Sequence, residues 1–202
     1  MKKYFLFFCA LFMLSCSTLK RDIEMHRIQY KSDFLTDERS PLKKEDLIHL
    51  DFYPPVADGK VKATFTLTPD AEPFDLPTYS GITRSYRKYG IATFNRENKE
   101  INLSLYQNMT LISNPAFKDY LFLPFKDETN GVTTYGGGRY LNMSKDDTAD
   151  GIITIDFNKA YNPWCAYSDG FNCPIPPVEN HLSFPVHAGE KSYKGEVHHK
   201  SE

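Results

Sequence analysis

Polar side chains that could bind or transform a ligand are concentrated in residues 127–191 of the 202-residue chain. This stretch contains an arginine after three consecutive glycines, the carboxylates of Asp156 and Glu179 among others, and several tyrosine and asparagine side chains near prolines. Such residues offer hydrogen-bond donors, acceptors and a positive charge, which suit a small polar or anionic ligand. The candidate ligand-binding residues are Arg139, Asp156, Asn158, Tyr161, Asn162, Glu179 and Asn180.

The glycine run Gly136–Gly138 leads directly into Arg139. Glycines let a backbone approach a ligand closely, and an arginine can hold a carboxylate or phosphate through two hydrogen bonds. No Lys-Ser or Lys-Thr follows, so this is not the phosphate-binding loop of nucleotide hydrolases. The alternative is a tight bend or bulge in a sheet, with Arg139 paired to an internal acid. We favour the bend for the glycines and leave both roles open for Arg139.

Asp156 and Asn158 follow a predicted strand and would share one face at its end, where functional groups often gather. Asn158 and Asn162 have an alternative, structural role. Asparagine side chains near a proline such as Pro163 commonly bond the local backbone and shape a turn. The sequence favours this second role.

Glu179 is a candidate acid or base in a pocket with Arg139 and Lys191, or one half of a structural ion pair. In an envelope hydrolase, Glu179 or Asp156 would act as general base and Arg139 would stabilise negative charge. The chain lacks the serine-hydrolase elbow, the zinc-protease helix motif and the dinucleotide fingerprint. We therefore expect no cofactor. The first hypothesis is a lipid-anchored binding module and the second is an envelope hydrolase; the third is that the motif serves only the fold and that function lies in partner contacts made elsewhere.

Cys165 and Cys173 enclose seven residues. In an oxidising compartment the simplest prediction is a disulfide, which would stabilise the fold by roughly 2–3 kcal/mol. Two free thiols, or a zinc site completed by His181 and His187, are the alternatives. Because these spacings match no common zinc module, we predict no metal site.

The N-terminus predicts the compartment. Lys2 and Lys3 precede an apolar stretch over residues 4–14, which is shorter than the roughly 20 residues of a spanning helix. Residues 13–16, Met-Leu-Ser-Cys, are typical of a bacterial lipoprotein cleavage site. We expect a signal peptide over 1–15, acylation (palmitate) at Cys16, and a lipid anchor in the bacterial cell envelope, on the periplasmic face or outer surface. The alternative is an ordinary secretory signal with an incidental cysteine.

Charge and domain organisation follow from that cleavage. Without residues 1–15 the chain carries 22 basic and 26 acidic residues, and it has no basic run interleaved with aromatics. We therefore expect no nucleic-acid partner, but a membrane contact through the lipid. We expect a tether over residues 16–27, one β-rich domain over 28–191 and a polar tail over 192–202.

The elements that must position the candidate residues are mostly short strands. Residues of alternating polarity, such as Val61, Ala63, Phe65 and Leu67, predict half-buried strands. We expect strands at 61–68, 81–89, 90–94, 101–106, 120–125, 132–135 and 152–157, a hairpin turn at 95–99, and short helices at 23–30 and 43–49. The predicted fold is mainly β: an antiparallel β-sandwich or partly open barrel of six to eight strands, with one or two short N-terminal helices.

Several motifs occur in a fixed order along the chain. They include Ser40-Pro41-Leu42, Leu50-Asp51-Phe52-Tyr53-Pro54, Thr134-Tyr135-Gly136-Gly137-Gly138-Arg139, Asp156-Phe157-Asn158-Lys159-Ala160-Tyr161-Asn162-Pro163, Cys165-Ala166-Tyr167, Glu179-Asn180 and Ala188-Gly189-Glu190-Lys191. Together they resemble the domain of unknown function 1684 family of bacteria and archaea, over about residues 28–191. The resemblance implies no established activity. Both cysteines belong to the family pattern and His181 and His187 do not, which argues further against zinc.

Overall fold

A single antiparallel sheet of seven strands forms the centre of the computed structural model. One α-helix, α1 (Lys2–Thr36), precedes it, and short 3-10 helices lie in the connections. The strands are β1 (Lys60–Leu67), β2 (Phe74–Pro77), β3 (Thr83–Arg96), β4 (Lys99–Asn108), β5 (Tyr120–Phe125), β6 (Arg139–Ser144) and β7 (Ile152–Asp156).

The structure describes residues 17–199 with their side chains and residues 2–16 by their backbone. The predicted signal peptide over 1–15 and the acylation site Cys16 therefore lie outside the residues with described side chains, and the last three residues of the predicted tail are not described. No helix in the described part of the chain combines the length and apolar character needed to cross a bilayer.

The strand order is β6-β5-β4-β3-β1-β7, with β2 added to β3. β6 and β7 are thus the two ends of the sheet, although they are consecutive in the chain. The sheet curls into a half-barrel, which confirms the predicted mainly β fold in its partly open barrel form. The opening of the half-barrel lies between β6 and β7.

The two faces of the sheet bury different side chains because successive residues of a strand point to opposite faces. Leu103 and Leu105 of β4 are fully buried in the main core, whereas Ser104 and Tyr106 point to the other face. That other face carries an aromatic cluster. Its members are Leu76, Tyr86, Tyr106, Phe122 and Tyr140, with Tyr120 and Tyr161 packed against them.

The predicted hairpin is confirmed. β3 and β4 join at Glu97 and Asn98, whose φ angles of 50° and 61° suit the tight turns that match strand twist. The two strands expected over 81–89 and 90–94 form the continuous strand β3, which shifts register between Lys88 and Gly90. Gly90 fits there because a Cβ atom would lie 2.2 Å from the Phe65 ring.

The strand predicted over 132–135 was wrong. The backbone N–H groups of Val132, Thr133 and Thr134 all donate to the carbonyl of Thr129, which closes a tight turn. The side chain of Val132 is 79% exposed, so its β-branched shape reflects no buried strand. Sequence reasoning also missed β2, which has only four residues, and β6, which begins directly after the glycine run.

Helix α1 extends further than the predicted helix over 23–30, and it runs through residues 16–27, for which we expected a tether. Its inward face explains this. Ile23 and Phe34 are buried, and the Arg27 guanidinium donates to the carbonyl of Tyr53 at 2.7 Å. Over the helix predicted at 43–49 the structure has only a 3-10 turn, Asp46–His49.

Candidate functional site

Arg139 lies in the interior of the molecule, with no exposed surface. Its guanidinium donates to Asp127 Oδ2 at 2.8 Å and to the carbonyls of Val186, Ala188 and Glu190. These bonds hold the C-terminal segment against the sheet. Arg139 is therefore paired with an internal acid, which is one of the two roles that the sequence left open for it. It does not face a ligand-accessible surface.

The three candidate asparagines are also buried, and each bonds the backbone. Asn158 donates to and accepts from the backbone of Val56, as a peptide group would. The side-chain amide of Asn162 donates to the carbonyl of Lys191. These contacts fit the structural role predicted for Asn158 and Asn162.

The side chain of Asn180 supplies hydrogen bonds that the backbones of β4 and β5 do not make to each other. Its side chain accepts from Ser104 N–H at 2.7 Å and donates to the carbonyls of Ser104 and Pro124. Pro124 has no N–H and cannot complete the pairing of β5 with β4. The asparagine side chain therefore bridges the two strands where their backbones cannot.

Glu179 lies on the surface at a different place from Arg139. Its carboxylate accepts from Lys88 Nζ at 2.7 Å and from the Tyr106 hydroxyl at 2.8 Å. Partial burial favours a higher pKa, but these hydrogen bonds outweigh it and hold the pKa of Glu179 below its usual value. Lys191, expected near Glu179, pairs instead with Asp51.

Cys165 and Cys173 form the predicted disulfide. Because both sulfur atoms are joined in this bond, neither cysteine offers a thiolate ligand for zinc. His181 contacts the carbonyl of Pro176, and His187 lies edge-on to Tyr53. Over residues 17–199, no three His, Cys, Asp or Glu side chains are arranged to hold a metal ion.

A cleft of about 810 Å³ lies at the opening of the half-barrel, between α1 and the end strands β6 and β7. Two of the seven candidate residues, Asp156 and Tyr161, line it. Other lining groups come from α1, from both strands and from the loop after β7. They include His26, Gln29, Tyr30, Asp33, Phe34, Asp37, Glu38, Arg39, Asn142, Met143, Asp147, Thr154, Lys159 and Trp164.

Hydrogen bonds fix the cleft walls. The hydroxyls of Tyr161 and Tyr120 both donate to Asn142 Oδ1, at 2.5 and 2.8 Å, and burial raises the pKa of Tyr161. Asp156 accepts from the backbone and side-chain N–H groups of Asn158 at 3.1 and 2.9 Å. These two walls are therefore held in place before any ligand arrives.

The cleft has an acidic balance. Five carboxylates line it, against the permanent charges of Arg39 and Lys159. Burial and the neighbouring Lys159 lower the pKa of His26, so this imidazole is mostly neutral at pH 7. Negative charge in a concave site attracts cations and repels anions. Of the ligands expected from the sequence, the cleft suits polar ones better than anionic ones.

Behind the cleft lies Glu190, a fully buried carboxyl that sequence reasoning did not single out as a site residue. It accepts from the Tyr30 and Tyr167 hydroxyls at 2.9 and 2.6 Å and from Asn162 N–H at 2.9 Å. Burial raises the pKa of Glu190 to about 7 against the lowering effect of these bonds. Because Tyr30 belongs to α1, Glu190 ties the helical wall of the cleft to the C-terminal segment.

The comparisons with known proteins agree with the motifs. Residues 45–191 match the family model described as protein of unknown function DUF1684. The chain belongs to the DUF1684 family. A solution NMR structure of an uncharacterised protein from Haloarcula marismortui is similar at 33% identity and a TM-score of 0.66, over 87% of this chain and 95% of that one. A search of curated proteins finds no match.

The residues that match the DUF1684 model form only part of the cleft. The walls formed by β6, β7 and the following loop lie inside residues 45–191, whereas the α1 wall lies outside it. The quoted motif Ser40-Pro41-Leu42 is outside the matched range as well. Sequence reasoning missed His26 and Tyr30 because it assigned that region to a tether and a short helix. The apolar or aromatic residues Ile23, Tyr30 and Phe34 on one helical face were the available signal.

Proposed function

We propose that the cleft between α1, β6 and β7 binds a small polar ligand that is neutral or positively charged. The observation that carries this proposal is a preformed concavity of about 810 Å³ lined by aromatic faces together with hydroxyl, amide and carboxylate groups. Small-molecule sites commonly combine such a volume with a few fixed polar groups. The remaining five candidate residues do not line the cleft.

We further propose that the protein acts in the bacterial envelope, anchored through an acylated Cys16. The basis is the sequence alone: two lysines, an apolar stretch and a Ser-Cys pair at the expected cleavage point. Acylation at Cys16 would place the α1 wall immediately after the anchor, so the cleft would lie close to the membrane surface.

The alternative of an envelope hydrolase lacks a supporting arrangement among the described residues. It requires Arg139 to face a carboxylate across a substrate. Arg139 is buried and paired with Asp127, Glu179 is bound to Lys88, and only Asp156 lines the cleft. We therefore do not pursue a hydrolytic reaction.

Native mass spectrometry of the protein purified from its own envelope tests the binding proposal. Thr154→Trp fills the cleft from an exposed position on β7, and Thr66→Trp is a matched change at an exposed threonine of β1 outside the cleft. We expect a small co-purifying molecule on the natural protein and on Thr66→Trp, and its loss from Thr154→Trp. Equal retention by both variants, or a bare natural protein, would contradict the proposal.

A further inference from the structure

The two strands that border the cleft are the unpaired ends of the sheet. Among the strands of the described residues, β6 pairs with β5 alone and β7 with β1 alone, and no strand joins them. Outside the strands, Tyr140 of β6 also forms a bridge with Tyr161. An end strand presents backbone N–H and C=O groups that can pair with another extended chain. The direction of these groups at the cleft can be read from the strand registers.

On β6, the cleft-facing backbone belongs to Asn142. Tyr140 exchanges both of its backbone hydrogen bonds with Tyr161, so its N–H and C=O point away from β5. In an antiparallel pair this direction alternates along the strand. Asn142 lies two residues further along β6, so its N–H and C=O also point away from β5. Asn142 lines the cleft.

On β7, the corresponding residue is Thr154. Phe65 N–H donates to the carbonyl of Gly151, so Gly151 faces β1. Ile153 and Ile155 follow the same parity, and Thr154 lies between them. The N–H and C=O of Thr154 therefore point away from β1, on the side where the cleft lies.

We propose that the ligand of this cleft is a short peptide in extended conformation, bearing a free amino group and bound as an added strand between β6 and β7. This inference rests on the proposed binding function of the cleft. An extended peptide presents N–H and C=O groups to opposite sides at successive residues. It can therefore satisfy Asn142 on one side and Thr154 on the other, which is the established principle of strand addition.

The length of the free edge limits the peptide. On β6, the N–H of Ser144 is already bound to Asp147 Oδ2 and the backbone of Tyr140 is bound to Tyr161. Only one residue of β6 thus has both backbone groups available. A strand rises about 3.3 Å per residue. A peptide of about three or four residues is therefore long enough to lie beside Asn142 and the residue on either side of it.

The charge of the cleft selects the end groups of the peptide. A free amino group is favoured by the carboxylates of Asp33 and Glu38 on and after α1, whereas Asp37 is already paired with Arg39. The aromatic side chains of Tyr161 and Trp164 line the cleft and offer apolar contact for peptide side chains. An acidic peptide would be repelled by the same carboxylates.

The experiment uses the full chain and the tetrapeptide Ala-Lys-Ala-Ala amide as probe. Isothermal titration calorimetry measures the affinity of this tetrapeptide and of three kinds of comparison ligand. The first kind is a set of copies, each N-methylated at one internal peptide bond. The second is a copy N-methylated only at the terminal amine, and the third is lysine amide. Methylation of a peptide N–H that donates to the carbonyl of Asn142 or Thr154 removes one strand hydrogen bond, and we expect about tenfold weaker binding for each of these copies. The terminal methylation keeps the charge, and we expect it to change the affinity less than threefold.

Amide hydrogen exchange locates the peptide. We expect the bound tetrapeptide to slow exchange at Asn142 and Thr154, while Leu141, which already faces β5, changes little. Binding that tolerates every internal methylation, or that survives Thr154→Trp, would overturn strand addition. If lysine amide or the co-purified molecule binds the cleft and the tetrapeptide does not, this inference fails while the proposed function stands. If none of them binds, both fail.

Discussion

The polar interior around Arg139 and Glu190 and the polar cleft beside α1 share residue types but differ in accessibility. In the interior, Arg139, Asn162 and Glu190 have no exposed surface, and each bonds backbone or side-chain groups of the protein itself. In the cleft, Asp156 and Tyr161 are anchored from behind and present their remaining surface to an open volume. The difference shows that the motif residues most noticeable in the sequence serve the fold.

The physical reason is that a buried polar group without a partner is costly, so a fold containing several of them constrains each one closely. A cleft residue is constrained only by its anchor and by whatever ligand it contacts. We therefore expect substitutions in the interior to change stability strongly and substitutions in the cleft to change binding. Four predictions test this contrast, in order of decreasing effect on stability.

Replacing Arg139 with methionine should have the largest effect. It leaves the buried carboxylate of Asp127 without its cation and three carbonyl groups without a donor. Breaking a buried ion pair costs about 3–5 kcal/mol, measured as the free energy of unfolding by denaturant titration. The control is Arg39→Met, which removes the pair between Asp37 and an arginine side chain that is 80% exposed, and it should leave stability nearly unchanged. Equal losses in the two variants would refute the contrast.

Glu190 predicts a pH dependence of stability. Its folded pKa of about 7 exceeds the ordinary 4.5, so between these pH values the native protein binds more protons than the unfolded chain. The free energy of unfolding therefore falls as pH rises, by roughly 3 kcal/mol at about 1.4 kcal/mol per pKa unit. Above pH 7 the loss is complete. Glu190→Gln should lack this component.

The measurement is the difference in unfolding free energy between the natural protein and Glu190→Gln across pH 4.5–7.5. Contributions shared by both proteins, including the opposite one from His26, cancel in this difference. A constant difference would show that Glu190 does not titrate in this range.

Asn180→Ala should destabilise the protein by about 2–3 kcal/mol, because it leaves the buried N–H of Ser104 without its partner. Asn172→Ala is the control, since Asn172 is exposed in the disulfide loop. Denaturant titration at one pH compares the two variants. Hydrogen exchange should show faster opening of β4 and β5 in Asn180→Ala, and a loss spread evenly over the sheet would contradict the bridging role.

Tyr161→Phe should have the smallest effect on stability, about 1 kcal/mol, from the loss of its bond to Asn142. Tyr120→Phe removes a bond to the same acceptor atom from a tyrosine that does not line the cleft. We expect similar stability changes from the two variants but weaker ligand retention only for Tyr161→Phe. Native mass spectrometry distinguishes them, and equal retention would remove Tyr161 from the site.

The sequence predicted those parts of the fold that depend on local pattern. Alternating residues in β1 and β4 identified half-buried strands, and Asn95–Lys99 marked a turn. The strand at 132–135 failed because Val132 and the two threonines after it have strand-forming shapes, while the Thr129 carbonyl collects their N–H groups in a turn. A preference of side-chain shape is weak beside such tertiary context.

The candidate site was predicted only in part because its walls are distant in sequence. Asp156 and Tyr161 were found from their position after a strand. Tyr30 and Asn142 join them only because the sheet curls and α1 packs beside its opening. The curl leaves no local pattern, and the apolar face of α1 indicates that the helix packs but not against which strands. Arg139 shows the reverse case: its glycine neighbours and charge suggested a ligand, yet Asp127 lies 12 residues earlier as its internal partner.

The position of α1 has a consequence for self-association. Uncovered end strands are templates on which a second copy of the same chain can pair, and proteins commonly protect them with a covering element. Helix α1 forms one wall of the cleft beside β6 and β7, so it narrows the approach to both edges while leaving room for a short peptide. Proteolysis within residues 17–36 should therefore make both edges accessible to a second copy and favour dimers or larger assemblies.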